Sequence, residues 1–159
     1  MKKFITKNEI ETKKIGKELG KNLVSGDIIA LMGELGAGKT VLVKGIAQSL
    51  GIPAQLINSP SFVLIREYPA KINLYHFDLY RLKNLNEIET LGWEEYLSKK
   101  GILIIEWAER MRDILPEEYL CVKMKILDTR EREIKLIPHG ERYRKLLNKL
   151  NPKFAKKSR

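Results

Sequence analysis

The sequence predicts an α/β fold, a three-layer sandwich whose central sheet is mixed but largely parallel and which carries a late β-hairpin. Three observations predict it. Two short runs, Ile28–Met32 and Ile102–Ile105, are apolar throughout, as strands buried on both faces are. Segments with helical periodicity separate these runs, the arrangement that covers a parallel sheet on both sides. Near the end, Tyr119–Leu127 and Glu131–Pro138 flank the turn formers Asp128-Thr129-Arg130, which reads as an antiparallel hairpin and makes the sheet mixed.

Taken in order, Lys2–Ile5 reads as a short first strand. Thr6-x-x-Glu9 has the spacing of a capping box and predicts that a helix opens there. Ile15, Leu19 and Leu23 recur every four residues, which gives that helix one apolar stripe, and Ser25-Gly26 ends it. The strand Asp27–Met32 follows, then a glycine-rich loop, then a helix from Lys39 to Leu50 that Gly51 and Pro53 stop. Ser59-Pro60 is a loop. Phe62–Glu67 and Ile72–Asp78 read as strands joined by a turn near Pro69-Ala70-Lys71. Asn86–Lys100 reads as helical with a break at Gly92, Gly101–Glu106 as a second buried strand, and Glu141–Leu150 as the closing helix. Residues 1–150 are expected to form a single domain, and the basic stretch 151–159 a disordered tail.

Composition bounds the function. The chain has 159 residues, 43% hydrophobic and 31% charged, enough to bury a core without disulfide or metal staples and too apolar for wholesale disorder. Cys121 is the one cysteine, so an internal disulfide is excluded, and its place between Leu120 and Val122 reads as core. Met1-Lys2-Lys3 is followed by no apolar leader, and no uncharged run approaches the ~20 residues of a membrane span. A cytoplasmic location is the expectation. The formal net charge of +10 invites a nucleic-acid reading, but it is unevenly placed. Residues 1–21 hold seven Lys against three Glu, and residues 141–159 eight Lys/Arg against one Glu, while residues 22–140 hold 15 basic against 16 acidic residues. The excess at the ends is either a solvated helix face with a tail or an electrostatic arm for RNA or an acidic partner.

Gly33-Glu34-Leu35-Gly36-Ala37-Gly38-Lys39-Thr40 fits G-x-x-x-x-G-K-[ST] between an apolar strand and an amphipathic helix, the context a P-loop NTPase requires. In that motif the backbone from Leu35 to Val41 wraps phosphate oxygens, Lys39 neutralises the β/γ oxygens and the Thr40 hydroxyl is a ligand for Mg²⁺. Glu106 ends the run Ile102–Ile105, where the second acid of such a site belongs, although it is Glu rather than the usual Asp. Asp78 ends another strand-like segment and either orients the attacking water, holds magnesium through water, or forms a structural salt bridge to Arg81. Ser59 and Ser61 follow the helix at the distance of a loop that senses the γ-phosphate, or form a plain turn. Trp107, beside Glu106, covers the site, serves a partner or packs. His76 reads as a hydrogen-bonded structural histidine ahead of a catalyst. Arg132 and the helix start near Asn8 are candidate neighbours of the adenine. No N-K-x-D guanine motif occurs, which favours ATP over GTP.

Together, GDIIALMGELGAGKT (26–40), INSPSFVLIREY (57–68), LYHFDLYRL (74–82) and ILIIEWAE (102–109) resemble the TsaE (YjeE) family, bacterial ATPases used in making threonylcarbamoyladenosine in tRNA. The resemblance covers about residues 1–140 and departs from the family pattern at Ser61, usually Thr, and Ala108, often Pro. It implies that Lys39 and Thr40 bind phosphate and magnesium, that Glu106 is the second magnesium-site acid, that Asp78 takes part in ATP hydrolysis and that Trp107 lies next to the nucleotide. It also implies that the chain transfers no threonylcarbamoyl group itself but binds the TsaD–TsaB pair and meets tRNA through that complex. The activating arginine would come from a partner or, in cis, from Arg81, Arg110 or Arg112. The alternatives are a P-loop small-molecule kinase and a non-catalytic, ATP-bound RNA-binding module.

Overall fold

A computed structural model of the chain describes residues 1–59, 64–151 and 153. Among them, seven strands form one sheet: β1 (Lys2–Thr6), β2 (Ile28–Gly33), β3 (Ile65–Tyr68), β4 (Leu74–Asp78), β5 (Ile102–Glu106), β6 (Tyr119–Ile126) and β7 (Arg132–His139), in the order β1-β7-β6-β2-β5-β4-β3. The central strands β6, β2, β5 and β4 run parallel, and β7, β1 and β3 add antiparallel edges. The helices are α1 (Glu9–Gly20), α2 (Lys39–Ser49), α3 (Leu85–Thr90), α4 (Glu95–Ser98) and α5 (Glu141–Lys149).

The apolar runs end up where their composition demands. Every residue of β4 and β5 is buried. Alternate side chains of the sheet feed two cores. Ile29, Leu31, Ile104 and Leu136 pack with Leu19, Leu42, Ile46 and Leu146 of α1, α2 and α5. On the other face Phe77, Leu103, Ile105 and Cys121 pack with Ile88, Trp93 and Met111. The result is the three-layer sandwich the sequence predicts.

Several local expectations are corrected. The N-cap of α1 is Asn8, not Thr6: its side chain accepts from Glu11 N at 2.9 Å, and Glu11 Oε2 accepts from Lys7 N at 2.8 Å. Thr6 instead ends β1, with its hydroxyl buried against Thr12 Oγ1 at 2.8 Å. That helix stops at Gly20, and the chain to β2 is shaped by Asp27, whose Oδ2 accepts from Val24 N at 2.8 Å. Gly92, at φ 68, separates two short helices where one interrupted helix was expected. A 3-10 segment over Ala108–Ile114 fills a stretch that carried no assignment. Phe62 and Val63 lie outside the described residues, as does the expected tail apart from Asn151 and Lys153.

Contact between α1 and α2 is made by backbone. A Cβ on Gly45 would lie 2.1 Å from the Lys13 carbonyl oxygen, and one on Gly16 would lie 2.2 Å from that of Leu42. This crossing fixes the start of α1 beside the loop that precedes α2. Gly45→Ala should therefore force the helices apart and cost about 1–3 kcal/mol, a fall of several degrees in Tm on thermal denaturation. An unchanged Tm would refute backbone packing at this crossing.

Candidate functional site

The C-terminal ends of β2, β5 and β4 lie side by side, and register places Leu31, Glu106 and Asp78 level with one another. In parallel sheets this end is where ligands gather. The loop from Gly33 to Gly38 leaves β2 here and turns into α2. Gly38 stands before the first turn at φ 95, a conformation open to glycine, and provides no side-chain cap. The first turn of α2 contains no acidic residue, so its N–H groups and the positive end of its dipole stay available to an anion.

Lys39 is only 5% exposed. Its Nζ donates to the Gly33 and Glu34 carbonyls at 2.5 and 3.0 Å and lies 4.1 Å from the centre of the Trp107 ring. Burial pushes its pKa below the usual lysine value, against the opposing pull of Glu106, Glu109, Asp78 and Glu34. The Thr40 hydroxyl donates to Glu106, at 2.9 Å from Oε1 and 3.2 Å from Oε2. Glu106 Oε2 also meets Nε2 of the fully buried His76 at 2.6 Å. Asp78, 2% exposed like Glu106, accepts from Ser59 Oγ at 2.5 Å and from Tyr80 N at 2.9 Å.

These groups open onto a cleft of about 430 Å³, lined by Leu35–Val41 with Ser59, Asp78, Tyr80, Arg81, Glu106 and Trp107. Trp107 adopts a left-handed backbone (φ 61, ψ 37), which costs a non-glycine residue about 1–2 kcal/mol, and rests on Tyr80 with ring centres 5.0 Å apart. A second hollow of about 400 Å³ shares Glu9, Gly36, Gly38 and Val41 and adds Asn8, Thr12 and Arg132. Arg132 donates to the Gly36 carbonyl at 3.2–3.3 Å, and Ile126 N donates to Glu34 Oε1 at 3.1 Å, so the β6–β7 end grips the loop.

The structure thus gathers Leu35, Gly36, Ala37, Gly38, Lys39, Thr40, Val41, Asp78, Glu106 and Trp107 around one cleft. Ser61 lies outside the described residues. Of the three arginines, Arg81 lines the cleft, Arg110 donates to the Leu82 carbonyl at 2.8 Å, and Arg112 lines a different groove beside Met32. Sequence reasoning favours a structural His76 over a catalytic one, whereas the structure bonds it to Glu106 of the cleft. The signal was present: on a strand, residues two apart share a face, so H-x-D places His76 beside Asp78.

No group of three or more His, Cys, Asp or Glu among the described residues forms a metal cage. The oxygens of Thr40 and Glu106 suit magnesium nonetheless, because this ion takes one or two protein ligands and completes its shell with phosphate and water. No helix among the described residues is long and apolar enough to cross a membrane.

Comparison with known proteins agrees on one family. Residues 6–134 match the family described as "Threonylcarbamoyl adenosine biosynthesis protein TsaE". The chain is 41% identical over 150 residues to the tRNA threonylcarbamoyladenosine biosynthesis protein TsaE of Bacillus subtilis strain 168, covering 94% of this chain and 93% of that one. It is 37% identical over 130 residues to the protein of that name from Treponema pallidum, covering 82% and 96%. The crystal structure of Bacillus subtilis YdiB superposes with a TM-score of 0.78 at 37% identity, over 93% of this chain and 92% of the other.

Proposed function

The chain belongs to the TsaE family of tRNA threonylcarbamoyladenosine biosynthesis, and we propose that it serves there as a magnesium-dependent ATPase activated by partner chains. One observation carries the reading: the hydroxyl that ends the glycine-rich loop donates to a buried carboxylate at the end of the neighbouring strand. That bond spends the Thr40 proton on Glu106 and leaves the hydroxyl lone pairs for a cation. Thr40 and Glu106 would hold Mg²⁺ there, and the ion would supply positive charge against the phosphates.

The chain's own residues do the rest. Amides of Leu35 to Val41 receive the phosphates at the N-terminus of α2. Lys39 gives up the Gly33 and Glu34 carbonyls for phosphate oxygens, a favourable exchange because phosphate is the stronger acceptor. Asp78 is held by Ser59 and Tyr80 N, level with Glu106, where a carboxylate can orient an attacking water. The hollow at Asn8 and Arg132 suits the nucleoside. Leu35, at 70% exposure, and Trp107 at the cleft offer apolar surface to a partner. By the family resemblance that partner is the TsaD–TsaB pair, which would meet tRNA and supply or steady the activating arginine, in the cytoplasm.

Lys39→Ala should weaken nucleotide binding about 10–100-fold, measured by titration with a fluorescent ATP analogue. Glu106→Ala should keep most of that affinity and lose about 100-fold in magnesium-dependent turnover. Full tRNA modification by both variants in a reconstituted system with TsaD and TsaB would refute the reading.

Direct contact with RNA is a second reading, and the sheet register favours it. Lys3, Lys135 and Lys123 stand directly opposite one another across β1, β7 and β6. Like charges so placed repel, a cost that a neighbouring acid or an anionic partner offsets. Glu133 answers Lys3 at 3.2 Å and Lys135 at 3.0 Å, whereas Lys123 and Lys125 form no ion pair among the described residues. The row lies partly in the electrically neutral middle of the sequence, where the charge count alone did not show it. Reversing Lys123 and Lys135 to Glu should lower tRNA affinity and flatten its salt dependence by about one unit of log–log slope per lost phosphate contact. Unchanged affinity and slope would remove this face from consideration.

A further inference from the structure

Glu106 is one methylene longer than the aspartate more usual at this position, so it has one more rotatable bond through which to leave the Thr40 hydroxyl. Something must hold it, and the candidate is on the next strand. His76 lies across from Ile104, two residues before Asp78 and on the face of the sheet that Glu106 shares. It is fully buried. Its Nε2 lies 2.6 Å from Glu106 Oε2. The ring proton belongs on Nε2 in this bond, because a lone pair there would face a carboxylate oxygen. Nδ1 is buried with no hydrogen-bond partner.

That imbalance is informative. A residue that only filled the core could be apolar at no polar cost. His76 uses one nitrogen, and spends it on the acid of the cleft. We propose that His76 is a positioning residue: by donating Nε2–H to Oε2 it fixes the rotamer of Glu106, so that Oε1 stays on the Thr40 hydroxyl and the carboxylate stays turned to the cation. The inference rests on the magnesium–nucleotide reading of the cleft.

The test compares His76→Gln, whose amide nitrogen can reach Glu106 as Nε2 does, with His76→Leu, which fills space and donates nothing. Affinity for a fluorescent ADP is measured in excess Mg²⁺ and in EDTA, and the ratio gives the tightening due to the metal. The proposal expects wild type and His76→Gln to keep that ratio within about 3-fold of each other, and His76→Leu to lose about 10-fold or more of it, with affinity in EDTA unchanged in all three. Should His76→Leu fail to fold, His76→Asn replaces it, since its amide stops at the position of Nδ1 and falls short of Glu106. Adding Glu106→Gln should abolish the difference between the His76 variants, as expected of two residues acting through one bond. An unaltered ratio in His76→Leu or His76→Asn would overturn the proposal, and so would an equal loss with and without metal, the mark of a merely structural role. If the wild-type chain binds the nucleotide with no help from Mg²⁺, the reading of the cleft fails along with it, and this is seen before any variant is compared.

Discussion

The hydrogen bond from Thr40 to Glu106 ties together the two halves of the cleft. Thr40 belongs to the first turn of α2, and its position follows from the glycine-rich turn that carries the chain off β2. Glu106 ends β5 and is placed by parallel pairing with β2 on one side and β4 on the other. Neither residue could meet the other without that register, because a slip of one residue would turn Glu106 to the opposite face of the sheet. The same register brings Asp78 level from the other neighbour. The central strands must therefore be parallel, apolar and buried on both faces for the polar cluster at their ends to exist.

That cluster runs against ordinary stability rules. Lys39, Asp78 and Glu106 are all nearly buried, and charges in that position return little net stability even when they are partnered. Trp107 holds a backbone conformation that suits glycine. The local cost is concentrated in one place, while the cores on either side of the sheet obey the rules of packing. Such a division is the expected mark of a working site on a stable frame. Donors surround the two carboxylates from four elements: Thr40 from α2, His76 from β4, Ser59 from the preceding loop and the Tyr80 amide from the turn after β4. They keep the acids in place before any ligand arrives, which spares the site reorganisation on binding.

Much of this was readable in the residues. The uninterrupted apolar runs announced β2 and β5, and the glycine and lysine spacing announced the loop between β2 and α2. What escaped the sequence was non-local. Thr6 and Asn8 are both competent caps, and only the pairing of β1 with β7 decides that Thr6 belongs to the strand and Asn8 to the helix. Nothing in Ala108–Ile114 predicts a 3-10 segment, because its shape follows from the left-handed turn at Trp107. The row of Lys3, Lys135 and Lys123 arises from three segments far apart in the chain, so only register could reveal it. His76 reads first as structural because its partner sits thirty residues away on another strand.

Everything proposed for the cleft depends on a cation held between Thr40 and Glu106. The most direct measurement is a crystal structure of the chain with Mg²⁺ and a non-hydrolysable ATP analogue. It should place the metal about 2.1 Å from Thr40 Oγ1, with Glu106 reaching it directly or through one water and still bonded to His76. A triphosphate bound away from the Gly33–Thr40 loop, or a metal whose shell excludes both Thr40 and Glu106, would contradict it.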